Sequence, residues 1–175
     1  MKRLTTMFLV SMFCIPGFAQ QSTQDLNFLI GSWQIVHTYN PKSDSPRVQH
    51  GTMECESVLN NEYVRCGYTM SRQDKEDALM DVYFNYNRIY GHYESLWVSS
   101  TWPIKVLEKG QLIIADDGVV LQGSAEFLVE DGATEYVQDE LVMKNEKQFE
   151  RITRIRNSTS SDWHHHMTEM AYRKK

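Results

Sequence analysis

From about residue 30 onward the chain alternates, an apolar or aromatic residue followed by a polar one, with Val, Ile, Thr, Tyr, Phe and Trp carrying the apolar positions. A period of two sends neighbouring side chains to opposite faces of an extended strand. The pattern predicts strands over 31–39, 48–58, 62–71, 79–87, 90–99, 111–116, 119–129, 134–143, 147–156 and 163–173. Turn-forming residues separate them: Asn40-Pro41, Asn85-Tyr86-Asn87, Asp116-Asp117-Gly118, Asp131-Gly132 and Lys144-Asn145. No stretch of helical length shows a helical stripe, and Thr23–Ile30 has room for one helical turn. About ten short strands joined by short links predict an all-β domain, an up-and-down antiparallel barrel or a sandwich. The barrel is the expected form, because closure removes every unpaired edge.

One hairpin predicts its own register. Asn60-Asn61 favours a turn, and folding the chain there sets Cys55 opposite Cys66 and Glu56 opposite Arg65. A two-residue turn would put the cysteines at the wider, hydrogen-bonded position. A four-residue turn over 59–62 keeps the register and brings them to the closer, non-hydrogen-bonded one. The expectation is a structural Cys55–Cys66 disulfide, the alternative two free thiols on one face.

The first nineteen residues follow a different pattern. Lys2 and Arg3 precede an apolar stretch, Met7 to Ile15, and then Gly17-Phe18-Ala19, the outline of a secretory signal with a small-x-small cleavage site. Phe13 before Cys14 does not suit a lipoprotein signal. Residues 1–19 are read as a signal peptide and 20–175 as one domain, exported to the periplasm or secreted. An oxidising compartment and an even cysteine count after cleavage agree with the bridge. No stretch approaches the ~20 apolar residues of a membrane helix.

Composition changes the picture little. The chain is 41% hydrophobic, 23% charged and 11% aromatic, which excludes disordered and low-complexity classes. Its formal charge of −5 becomes −7 once Lys2 and Arg3 are removed, and an acidic domain has no nucleic-acid footprint.

The segment Asn27-Phe28-Leu29-Ile30-Gly31-Ser32-Trp33, with its Gly-x-Trp, resembles the opening of the lipocalin and wider calycin superfamily. In those proteins a helical turn leads into Gly-x-Trp at the closed end of a barrel, and a basic side chain from the last strand covers the Trp. The resemblance implies that Trp33 and Arg173, from the closing Glu169-Met170-Ala171-Tyr172-Arg173, occupy those places, guanidinium over indole. Over nearly the whole mature chain the sequence resembles calycin-like, often exported bacterial proteins of unknown function. The alternative for Trp33 is a large core residue with no special part.

If the first and last strands pair with Arg173 near Trp33, His164–His166 would lie near His37 to Tyr39 at the open end. In a regular strand His164 and His166 share a face, and two such imidazoles, with His37 as a possible third, suit a transition metal. The layout also resembles nitrobindins, haem-binding calycin barrels whose axial His lies on the last strand. That resemblance implies haem on His164 or His166, although Gln34-Ile35-Val36 lacks the glycine that follows the Trp in nitrobindins. The bland reading is a solvated strand end.

The richest run is Tyr83 to Tyr93, followed by Trp97 and Trp102. Such aromatics either line an apolar cavity or fill the barrel, and Met80, Met143, Met167 and Met170 suit either role. If Phe149, Arg151 and Thr153 face inward, Arg151 is placed to bind a ligand carboxylate in the barrel. Otherwise the arginines of 147–156 pair with Glu135, Asp139 and Glu140. No nucleophile elbow, zinc-protease helix or phosphate loop is present. The reading is an exported barrel binding a small, largely apolar molecule through His37, Tyr83, Tyr86, Trp97 and Arg151. The alternatives are haem or metal binding, an enzyme built on an unrecognised acid–base pair, and a filled barrel that binds a partner.

Overall fold

The strands are where the alternation predicts them, and they close on themselves. The computed structural model describes residues 21–175 apart from 103–104, 116–117, 130–131, 159 and 161. The signal segment therefore lies outside the described residues, as do Asp116, Asp117 and Asp131 of two expected turns. A short 3₁₀ helix, Thr23–Leu29, leads into β1 (Gly31–Tyr39), β2 (Arg47–Val58), β3 (Tyr63–Met70), β4 (Ala78–Asn87) and β5 (His92–Ser99). There follow β6 (Val106–Ala115), β7 (Gly118–Leu128), β8 (Thr134–Asn145), β9 (Gln148–Asn157) and β10 (His164–Arg173). Each strand pairs antiparallel with its sequence neighbours, and β1 pairs with β10 to close the barrel.

Most boundaries fall within two residues of expectation; one strand start and one expected turn do not. Strand β6 begins at Val106 rather than 111, because its first half carries the charged pair Glu108-Lys109, which reads as loop although Glu108 points inward. Asn85-Tyr86-Asn87 is still strand; the reversal follows, with the Asn87 side chain accepting from the Ile89 and Tyr90 amides.

The β2–β3 register is the folded one, Cys55 opposite Cys66 and Glu56 opposite Arg65. Leu59, Asn60 and Asn61 all take left-handed backbone angles, which Asn tolerates. The reversal spans 59–62, between the paired Val58 and Tyr63. The cysteine Cα atoms are 4.1 Å apart, the close spacing of a non-hydrogen-bonded pair.

One end is plugged. Trp33 is fully buried, its indole N–H donates to the Leu29 carbonyl at 2.8 Å, and Phe149 meets it edge-on at 4.9 Å. Arg173 pairs with Trp33 across β1–β10 and lays its guanidinium 4.2 Å from the ring centre. It also donates to the carbonyls of Ile30, Phe28 and Glu146 at 2.7, 2.9 and 3.0 Å, tying helix, β1 and the β8–β9 turn together. Gly31 makes this possible. Its φ is +127°, and a Cβ there would sit 2.5 Å from Arg173 Nη1. Leu26 and Leu29 of the helix complete the plug, while Asp25 accepts from the Tyr93 hydroxyl at 2.8 Å.

Candidate functional site

Alternation places one residue in two of every strand inside the barrel, and the inward residues change character along its axis. Near the plug they are apolar and close-packed. Towards the other end they enclose an open cavity of about 350 Å³, within the range of small-molecule sites. Its walls are chiefly apolar, among them Trp97, Trp102, Val106, Phe127, Val137 and Met167.

The floor is polar. From β10, Glu169 is fully buried and receives His37 Nε2 at 2.6 Å, Arg151 Nη2 at 3.1 Å and the Tyr68 hydroxyl at 3.4 Å. Pairing explains the convergence: Glu169 stands directly opposite both His37 on β1 and Arg151 on β9. Burial alone would raise the Glu169 carboxyl. The Arg151 guanidinium and the His37 hydrogen bond outweigh burial and hold it below its ordinary range. Burial likewise opposes the charge on Arg151, yet Glu169 and the other acidic and phenolic groups around it raise its pKa above the ordinary value. The guanidinium also lies 4.2 Å from the Trp97 ring centre.

A second acid cluster adjoins it. Glu108 from β6 accepts from Ser95 Oγ at 2.6 Å, and Ser95 Oγ in turn accepts from the Trp97 indole at 3.1 Å. Burial, followed by the nearby Asp139 carboxyl, pushes Glu108 well above the usual carboxylate range. Gly123 leaves the room for it: a Cβ there would approach Glu108 Oε2 to 3.2 Å. Several buried atoms around the floor have no partner in the protein, namely Arg151 Nε and Nη1, Asp139 Oδ1 and Thr153 Oγ1. In native proteins such atoms are exceptional.

The expected contact residues divide. His37, Trp97 and Arg151 line the cavity. Phe149, Arg151 and Thr153 all face inward, and Arg151 pairs with Glu169 rather than with the β8 acids. Tyr83 and Tyr86 do not line it. Tyr83 lies between the inward Val82 and Phe84, so its parity sends it outside. Tyr86 packs on Tyr93 at 5.0 Å beside the helix, at the plugged end. The His164–His166 expectation also changes. The β1–β10 register sets Tyr39 opposite Met167, so the histidines lie further along than His37 to Tyr39. A bulge between His165 and Met167 then breaks the alternation that was to align them. His166 lines the cavity and packs edge-on against Tyr39 at 5.9 Å, while His164 is exposed and does not line it. Burial lowers the His166 pKa. Among the described residues no group of three or more His, Cys, Asp or Glu is arranged to hold a metal ion. No described helix is long and apolar enough to cross a membrane.

Glu169, Glu108, Ser95 and Tyr68 were missed as site residues. A glutamate at an inward position between apolar neighbours was the available signal, as in Val106-x-Glu108 and Met167-x-Glu169.

Among solved structures the chain is similar to Rv2717c from M. tuberculosis, with a TM-score of 0.69 and 14% identity over 87% of this chain and 96% of that one. It is also similar to the S-type phycobiliprotein lyase CPES from Guillardia theta, with a TM-score of 0.53 and 10% identity over 89% and 94% of the two chains. At these identities the likeness is one of fold, a calycin-like barrel. No curated protein matches the chain. The family model described as "Protein of unknown function (DUF1579)" matches residues 19–174, and the chain belongs to that family.

Proposed function

We propose that this barrel binds one small, largely apolar molecule, whose polar end reaches the floor formed by Arg151, Asp139 and Thr153. The observation that carries the reading is the unpartnered set on these three side chains, buried at the base of a chiefly apolar, open cavity. Leaving such groups unpaired costs about 1–3 kcal/mol each, a cost that a matching ligand removes. The fold shared with a phycobiliprotein lyase is compatible with a ligand in the barrel. The reading includes export after cleavage behind Ala19 and a structural Cys55–Cys66 bridge, supported by the leader pattern and the facing cysteines.

Native mass spectrometry of the protein from the exported fraction, set against the denatured mass, tests all of this together. The expected result is a retained organic mass in the native spectrum that is lost in Trp97→Ala and kept in His166→Ala. The denatured mass should be that of 20–175, two protons lighter for the bridge. A protein that arrives empty and takes up no apolar probe would overturn the binding reading.

Haem is the second reading, and His166 favours it as an imidazole on the cavity wall that burial keeps towards the neutral, ligating form. A Soret band abolished in His166→Ala but not in Trp97→Ala would establish it in place of the first.

A further inference from the structure

The floor has a definite charge count. Arg151 supplies one positive charge, and Glu169, bonded to it at 3.1 Å, supplies the matching negative one. His37 is turned towards the same carboxylate. What remains are Glu108, Asp139 and Glu135, three further acidic side chains on the cavity lining around that one guanidinium. Asp139 stands opposite Thr153 and is the diagonal neighbour of Arg151 on the inner face, and all three side chains line the cavity. The free valences of this corner are of two kinds. Arg151 Nε and Nη1 are donors awaiting an acceptor, Asp139 Oδ1 is an acceptor awaiting a donor, and Thr153 Oγ1 can serve as either.

Resting on the reading that a small apolar molecule occupies the cavity, we infer that its polar end is a neutral group carrying an acceptor and a donor side by side, a carboxamide or lactam, and that the floor turns carboxylates away. A carboxylate would satisfy the arginine and leave Asp139 Oδ1 facing another anion. It would also enter a buried site whose one guanidinium is already neutralised by Glu169. A neutral amide satisfies both sides: its carbonyl accepts from Arg151, and its N–H donates to Asp139. A purely apolar molecule fits the walls and leaves the corner unpaired.

Three probes of one shape separate these cases: naphthalene-2-carboxamide, naphthalene-2-carboxylate and naphthalene, titrated calorimetrically into the bridged protein at pH 7. The amide should bind best, at least about tenfold tighter than the carboxylate, with naphthalene between them. In Asp139→Asn the corner loses an acidic group and gains an amide donor, and the ratio of carboxylate to amide affinity should rise by about tenfold or more. Carboxylate binding as tight as amide in the wild type overturns the inference and leaves the cavity reading standing. An unchanged ratio in a folded Asp139→Asn does the same. If that variant does not fold, the wild-type comparison decides alone. Failure of all three probes to bind up to their solubility limits, in a protein that also arrives empty, overturns both readings.

Discussion

Glu169 and Glu108 are both buried glutamates in one barrel, and their surroundings drive them in opposite directions. Glu169 faces a guanidinium and an imidazole and is held ionised. Its folded pKa lies below the unfolded value, so it contributes stability above about pH 4.5, lost as pH falls through the folded value. Arg151→Met removes the main partner and strands a buried carboxylate. The unfolding free energy at pH 7 should drop by about 3–5 kcal/mol in urea titrations, and the deficit should shrink in acid as Glu169 takes up a proton. Glu108 behaves in the opposite sense. Its folded pKa is raised, so the folded chain binds the proton more tightly, and the stability this brings declines as pH rises from about 4.5 towards the folded value. Glu108→Gln keeps the shape and an acceptor for Ser95 without the titration. Wild-type stability should fall relative to Glu108→Gln as pH rises above about 4.5, and parallel profiles would contradict the raised pKa.

At the scale of elements, the plug joins what sequence separates. Arg173, at the end of β10, reaches three carbonyls and the Trp33 face. Lysine offers a point charge in place of a planar fork, so Arg173→Lys should still cost about 2–3 kcal/mol in chemical denaturation. This joint was legible in advance because Gly31-Ser32-Trp33 and the closing Tyr172-Arg173 resemble the two ends of calycin chains, and that resemblance implied the stack. The β2–β3 register was legible for a similar reason, since two asparagines mark the reversal and fold Glu56 onto Arg65. The first half of β6 was hidden because Glu108 and Lys109 resemble a solvated loop, and only the inward environment makes a glutamate there tolerable. His164 and His166 were misaligned by a bulge, one extra residue that shifts parity and has no signature in His-His-His. The aromatic run held the same ambiguity in another form: Tyr83 and Phe84 are both strand formers, and which of them faces inward depends on register.

Across the whole molecule every strand has two partners, and β10 supplies the last seam to both β1 and β9. A chain ending at Asp162 would expose two strand edges and lose Glu169 and Arg173 together. It should give no folded monomer on gel filtration or in the circular dichroism melt, whereas a reversible monomeric transition would show that closure is dispensable. The site depends on the same seam, because its residues come from strands distant in sequence. That is why the cavity's wall residues were partly foreseeable from their types while the floor network was not: a glutamate on β10, an arginine on β9 and a histidine on β1 meet only once the barrel is closed.

The plug also fastens the described residues where they enter the barrel and where they leave it. The 3₁₀ helix enters beneath Trp33, and just after β10 the Lys174 amide donates to the Ser32 carbonyl at 2.8 Å. Anything attached behind Lys174, whether a purification tag or a surface tether, therefore hangs from the base like a stem. The rim around His166, Trp102 and Phe127 points the other way, as a cup standing on its foot, and it can be filled and emptied while the foot is held.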